Sequence, residues 1–221
     1  MQRSAGILLH PTSLPSRHGI GDIGPGAHRY IRWLSAAGAS WWQILPVCPP
    51  GPGFSPYSGL STFAGSPWLV SPEALVEDGL LSGGEIGSPP DFPDTSLDVR
   101  RMSAWKDSLL RAAWSRFSRN SGHQLHEAYE AFREQDRWWL EDFGLFAALK
   151  EHHKGKSWLD WPSGLVRREP AVLAEAAKTL GNEIGFHQFC QFLFFRQWSR
   201  LKTVARENGV SILGDLPIFV A

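Results

Sequence analysis

Residues 5–45 read AGILLHPTSLPSRHGIGDIGPGAHRYIRWLSAAGASWWQIL, and this stretch decides the class of fold. Residues 5–9 are a short apolar run stopped by His10-Pro11, the pattern of a buried strand. Pro25 suits the first position of a helix. Ala27, Tyr30, Ile31, Leu34 and Ala37 then fall on one face of that helix, and Gly38 can cap its end. Residues 40–45 (SWWQIL) read as a second strand, ended by Pro46. Strand, helix and strand in this order form a βαβ unit, which requires a parallel pair.

Outward from this unit, residues 47–70 are rich in Gly, Pro, Ser and aromatics and predict a long loop. Such loops are uncommon inside a compact domain and usually carry function. Residues 82–98 (SGGEIGSPPDFPDTSLD) form a Pro/Gly/Asp-rich linker. From about residue 99 to 208 the signals are helical, with clear helices over 138–151 and 182–207. In the second, Phe186, Cys190, Leu193, Phe194, Leu201, Val204 and Ala205 recur at three- and four-residue steps. Asn208-Gly209 ends it, and residues 210–213 open a third buried strand. The expected architecture is α/β, a parallel scaffold interrupted after its second strand by a helical insertion. Residues 215–221 (DLPIFVA) leave the third strand, with nothing after them to pack on it.

The 221 residues hold 22 basic and 22 acidic side chains, so the formal charge is zero, and this excludes an electrostatic footprint for nucleic acid or an anionic membrane surface. Only five charged residues (Arg3, Arg17, Asp22, Arg29, Arg32) lie in residues 1–72, as expected for buried strands joined by ordered loops. Two distant cysteines, Cys48 and Cys190, make neither a disulfide framework nor a zinc site. No apolar run is long enough for a signal peptide or a membrane span, which points to a cytoplasmic setting. The 11 tryptophans fit either a Trp-rich core or aromatic surfaces that pack on rings and C–H faces.

Residues 19–24 (GIGDIG) spell G-x-G-x-x-G, but nine residues separate them from the first strand. No acidic residue stands between Asp22 and Glu73 to meet a ribose, so turn-forming glycines account for the motif better than a nucleotide site. The pairs His123/His126 and His152/His153 lack carboxylate or Cys company at metal-ligand spacing. No G-x-S-x-G elbow is present. Within the long loop, Ser55-Pro-Tyr57 places an aromatic beside hydroxyls. A tyrosine there can stack on a sugar's C–H face while its hydroxyl and Ser55 hydrogen-bond, or it can simply pack its own loop. Asp215 sits at the carboxyl end of a predicted parallel strand, the end that carries the chemistry in barrels and doubly wound sheets. The competing role is to accept backbone N–H bonds within its turn.

Four segments together resemble the 4-α-glucanotransferases of the amylomaltase (disproportionating enzyme) family. They are residues 6–15 (GILLHPTSLP) followed by 19–25 (GIGDIGP); 42–46 (WQILP) leading to Ser55-Pro-Tyr57 and 63–67 (FAGSP); 139–143 (WLEDF) with 147–150 (AALK); and 214–221 (GDLPIFVA). The resemblance implies the N-terminal part of an interrupted (β/α)8 TIM barrel with a helical insertion subdomain. Residues 1–81 would be the first βαβ part with the substrate loop, 82–98 a linker, 99–208 the mainly helical insertion, and 209–221 the third barrel strand.

It further implies retaining transfer of α-1,4-glucan segments between maltodextrins, with no metal or organic cofactor. One carboxylate attacks the anomeric carbon, a second carboxylic acid protonates the leaving oxygen, and a glucan hydroxyl releases the covalent intermediate. By resemblance Tyr57 stacks on the donor sugar, Asp215 binds substrate and Ser55 is a weaker sugar contact. The nucleophile, the acid/base and a third carboxylate are expected beyond Ala221, so none of the present residues is assigned a catalytic role. The chain alone is therefore expected to be inactive. The alternatives are a non-catalytic glucan-binding fragment, an α-amylase-like hydrolase and a degenerate gene product.

Overall fold

The chain enters through β1 (Gly6–Leu8), crosses by α1 (Pro25–Ala36) and returns in β2 (Trp41–Gln43). The computed structural model describes residues 3–93 and 95–220. Met1, Gln2, Asp94 and Ala221, which belong to the first, linker and last sequence-derived segments, lie outside the described residues. Pro25 opens α1 as expected, and Ala27, Ile31 and Leu34 are fully buried along its stripe. Gly38 ends it at φ +76°, a conformation that favours glycine. The strands are three residues long, shorter than the apolar runs that predict them. The ladder nevertheless continues past them, because Leu9 N–H donates to Gln43 (3.0 Å) and Ile44 N–H donates to Leu213 (2.9 Å).

The 47–70 loop contains β3 (Ser58–Gly59). Then come α2 (Pro72–Glu77) and α3 (Gly83–Ile86). The last sits inside the predicted linker, where Ser82 and Glu85 cap it reciprocally. The helices α4 (Val99–Arg119), α5 (His126–Gln135), α6 (Arg137–His152), α7 (Ser163–Val166), α8 (Pro170–Thr179) and α9 (Gly181–Glu207) precede β4 (Ser211–Leu213) and β5 (Phe219–Val220). Residues 219–220, which the sequence reading assigned to no strand of their own, form β5 and pair in parallel with β3.

The main sheet has the order β1-β2-β4 and is parallel throughout. Its register aligns Ile7, Trp42 and Ile212 on the middle rung. Trp42 is fully buried there, with the Tyr30 ring of α1 edge-on to it at 5.1 Å. The rungs on either side point to the opposite face (Gly6, Trp41 and Ser211; Leu8, Gln43 and Leu213). On that face Leu8, Trp41 and Leu213 are 54, 40 and 47% exposed.

The chain divides into two compact units, one running up to Ser121 and resuming at Leu193, the other comprising Gly122–Phe192. The helical block expected over 99–208 is thus shared out. Helix α4 belongs to the first unit, and the boundary falls inside α9. In the first unit the Lys106 ammonium of α4 is buried against Asp22 (3.2 Å) and donates to the Val70 carbonyl (2.9 Å). His18, fully buried, donates to Glu73 (3.0 Å). Asp78 receives both Arg196 (3.0 Å) and Arg200 (2.7 Å). A Cβ on Gly65 would overlap the Phe194 ring, so the loop backbone lies directly on that side chain. In the second unit Ala148, Leu149, Trp161 and Leu180 form a core with Phe146 and Ile184 against it. Tyr129 stands edge-on to Phe189 and Phe192, and burial pushes its phenol up to about 12. The tryptophans divide between core and surface: Trp42, Trp139 and Trp161 are buried, whereas Trp33, Trp138 and Trp158 are exposed.

The Lys106–Asp22 and His18–Glu73 pairs set two expectations. Lys106→Ala leaves Asp22 buried without its cation and should cost about 3–5 kcal/mol in urea denaturation. Lys106→Met combined with Asp22→Asn should recover much of that loss. For Glu73, burial alone would raise the carboxyl. The hydrogen bond from His18, the Glu73 backbone N–H, the His18 charge and the Ser71 hydroxyl outweigh it and hold the group at about 2, below its ordinary 4.5. A depressed carboxyl stabilises the fold above its unfolded pKa and loses that contribution as pH falls. The stability gap between the parent and Glu73→Gln should therefore narrow as pH drops from 4.5 towards 2, measured by denaturation at a series of pH values.

Candidate functional site

The 47–70 loop is an ordered structure with its own ladder. Pro50 and Gly59 form an antiparallel bridge, Gly51 N–H donates to Ser58 (2.7 Å) and Leu60 N–H donates to Pro49 (2.9 Å). At its tip Gly53 and Phe54 both take positive φ, +84° and +58°. The Ser55 hydroxyl oxygen accepts the Tyr57 backbone N–H (3.3 Å) and closes a local turn. Beneath, the Cys48 thiol donates to the Pro56 carbonyl (3.6 Å), and burial raises its pKa.

Tyr57 and Asp215, 158 residues apart, meet through this frame. Phe219 N–H donates to the Tyr57 carbonyl (2.9 Å), continuing the β3–β5 pairing. The Tyr57 hydroxyl donates to Asp215 Oδ2 (2.8 Å), and Asp215 Oδ1 accepts the Leu216 N–H (2.8 Å). The turn-capping role considered for the aspartate is visible in the Leu216 contact, and the other carboxylate oxygen is taken by the tyrosine. The bond to Asp215, helped by partial desolvation and the carboxylate charge, holds the Tyr57 phenol above its ordinary value. Tyr57 is half-buried, and Asp215 and Ser55 are exposed. Ser55 touches this pair only through the Tyr57 backbone.

Behind the loop lies a cavity of about 260 Å³, lined among others by His10, Cys48, Phe54, Pro56, Trp68 and Leu97. Phe54 and Trp68 face each other at 5.7 Å between centroids. His10 Nδ1 accepts from the Thr12 N–H (3.4 Å) and lies 2.6 Å from its hydroxyl, so Nε2 carries the proton that faces the Pro46 carbonyl (3.2 Å). Burial lowers the His10 pKa, in keeping with this neutral form. Tyr57 and Asp215 are not among the lining residues. The sequence reading singled out none of His10, Phe54 and Trp68. The available signals were a histidine directly after a predicted strand and a phenylalanine between glycine and the Ser-Pro-Tyr run.

The remaining motifs go into the fold. A Cβ at Gly21 would meet the Pro11 carbonyl and one at Gly24 the Ser71 side chain, so these glycines permit close packing. Asp22 accepts the Gly24 N–H (3.0 Å) as well as Lys106. His153 stacks on Trp161 at 5.3 Å. Among the described residues no group of three or more His, Cys, Asp and Glu side chains could hold a metal ion.

The Tyr57–Asp215 pair thus stands just past the carboxyl end of β4 in a parallel sheet, and the sequence profile described as 4-alpha-glucanotransferase matches residues 9–221. The chain belongs to the 4-alpha-glucanotransferase family. The 4-alpha-glucanotransferase of Thermus thermophilus is 44% identical over the whole of this chain, which covers 43% of it. The Synechocystis enzyme of the same name is 42% identical, and the chain covers 44% of it. Among solved structures, the amylomaltase of Streptococcus agalactiae in complex with acarbose matches the whole chain at a TM-score of 0.94 and 31% identity, with 44% of that chain covered. The amylomaltase of Corynebacterium glutamicum shares the fold at a TM-score of 0.76 and 18% identity over 98% of this chain. The chain spans less than half the length of the relatives it matches.

The Tyr57–Asp215 bond predicts a titration result. The chain has three tyrosines. In Asp215→Asn the Tyr57 phenol should ionise at lower pH than in the parent, while Tyr30 and Tyr129 stay in place. Ring-labelled NMR titration reads the three separately, and an unmoved Tyr57 would mean that the bond does not persist in solution.

Proposed function

We propose that this chain forms the first part of an interrupted (β/α)8 barrel that transfers α-1,4-glucan segments between maltodextrins with retention. The observation that carries this reading is the Tyr57–Asp215 pair at the carboxyl ends of β2 and β4, in a chain of the 4-alpha-glucanotransferase family. In barrel enzymes that end of the strands holds the active site. Tyr57 offers its ring to the C–H face of the donor glucose. Asp215 accepts hydrogen bonds from that sugar's hydroxyls, and Ser55 is a further polar contact on the same loop. An acarbose complex of one structural neighbour agrees with a glucan-type ligand.

Three buried or half-buried carboxylates of the first unit do not suit the displacement chemistry. Asp22, Glu73 and Asp78 are each committed to a cation or histidine that holds the fold. We assign nucleophile and acid/base to the portion of the relatives outside the match. A retaining mechanism needs two carboxyl groups about 5–5.5 Å apart on either side of the scissile bond. Transfer prevails over hydrolysis when a bound glucan hydroxyl, and not water, meets the intermediate. A cytoplasmic location belongs to the same proposal. Among the described residues no helix is long and apolar enough to cross a membrane.

The 221-residue chain should bind maltoheptaose saturably in calorimetry. Tyr57→Ala should weaken that binding about tenfold, close to 1.4 kcal/mol. Incubated alone with maltotriose, the chain should give no ladder of longer and shorter maltodextrins. A ladder from the purified chain would overturn the assignment of the acid and nucleophile, and binding unchanged in Tyr57→Ala would overturn the role of the tyrosine.

A further inference from the structure

The cavity behind the 47–70 loop has no share in the Tyr57–Asp215 pair, and its walls differ from those of a sugar site. Its lining residues run from His10 to Leu97, all within the first unit. Among the described lining residues there is no Asp, Glu, Lys or Arg. Ile20 and Leu69 are buried in its walls, while Phe54 and Leu97, each about half exposed, stand at its mouth. The polar side chains that reach it include three already engaged. His10 is bonded to Thr12 and to the Pro46 carbonyl, and Cys48 donates to the Pro56 carbonyl. The hydroxyl fringe of a glucan would find few partners there, and a charged group no counter-charge.

The volume narrows the choice of occupant. An apolar cavity of about 150 Å³ takes up one benzene ring. At about 260 Å³ this one has room for two fused rings. A second observation marks the mouth. Phe54 adopts φ +58°, a left-handed backbone that a bulky side chain takes only where its surroundings enforce it. Its N–H donates to the Gly51 carbonyl (3.1 Å), and its ring lies 5.7 Å from that of Trp68. The chain thus sustains backbone strain while holding an aromatic wall at the opening.

We propose that this cavity is a binding site for a neutral, planar, two-ring aromatic molecule, with Phe54 and Trp68 as its aromatic wall. The site is coupled to Tyr57 through the loop. Phe54 and Pro56 line the cavity, and Ser55 between them accepts the Tyr57 N–H. An occupant that fixes Phe54 and Pro56 alters the surroundings of the Tyr57 ring without touching it.

Indole is the probe, added to the 221-residue chain and followed by calorimetry and NMR. It should bind 1:1 with a dissociation constant below about 1 mM, and show nuclear Overhauser contacts to Phe54, Trp68 and Ile20. Indole-3-acetate, the same rings with a carboxylate, should bind at least about tenfold more weakly. Val47→Phe fills the cavity and should cut indole affinity at least about tenfold. Phe54→Gly removes the ring but suits the left-handed backbone, so it should fold and still lose about tenfold. Saturating indole should shift the Tyr57 ring resonances in the parent and leave them in place in Val47→Phe. Maltoheptaose should not displace indole, whether or not the sugar binds at Tyr57, so a failure of the glucan reading leaves this test intact. No saturable binding, contacts only to other residues, displacement by maltoheptaose, or full affinity in folded Phe54→Gly overturns the site. Bound indole with an unmoved Tyr57 overturns the coupling.

Discussion

Every pairing in the main sheet is parallel and three residues long, and the rest of the chain is arranged around that constraint. Parallel neighbours cannot be joined by a tight turn; each needs a crossover that brings the chain back to the starting end. The first crossover is α1, whose buried stripe covers Trp42. The second, from β2 to β4, runs from Ile44 to Val210 and contains the long loop, a whole separate unit and most of the helices. So few backbone bonds do not hold such a sheet by themselves. The buried pair Lys106–Asp22 ties the second crossover to the first, and Asp78–Arg196 joins distant parts of the second, both within the first unit.

Much of this was legible in the sequence because it is local and periodic. The βαβ unit, the stripe of α1 and the long helices follow from three- and four-residue spacing, from Pro25 and from Gly38. The pairing of β3 with β5 was not. Each strand has two residues, they lie about 160 positions apart, and nothing in DLPIFVA distinguishes a strand from a tail. Helix α3 was readable in principle, since Ser82-x-x-Glu85 is a capping signature, but the Pro and Gly residues around it dominate the composition. The division near residue 122 was equally hidden, because helices on both sides of it share the same charge-rich, amphipathic pattern.

For the candidate site, side-chain chemistry pointed to Tyr57, Asp215 and Ser55 one at a time. What brings the first two together is a backbone hydrogen bond from Phe219, and no residue type announces it. His10, Phe54 and Trp68 escaped for a related reason. Each has an adequate structural explanation alone, and only the folded loop gathers them around one cavity.

The tethering of Tyr57 at both ends has a consequence for any ligand it meets. Its carbonyl is held by Phe219 and its hydroxyl by Asp215, so the ring is restrained in the unliganded chain. A free surface tyrosine surrenders about 0.5–1.5 kcal/mol of rotamer entropy when a ligand immobilises it. Here part of that loss is taken during folding, and any ligand that stacks on the phenol meets a ring already oriented by the chain.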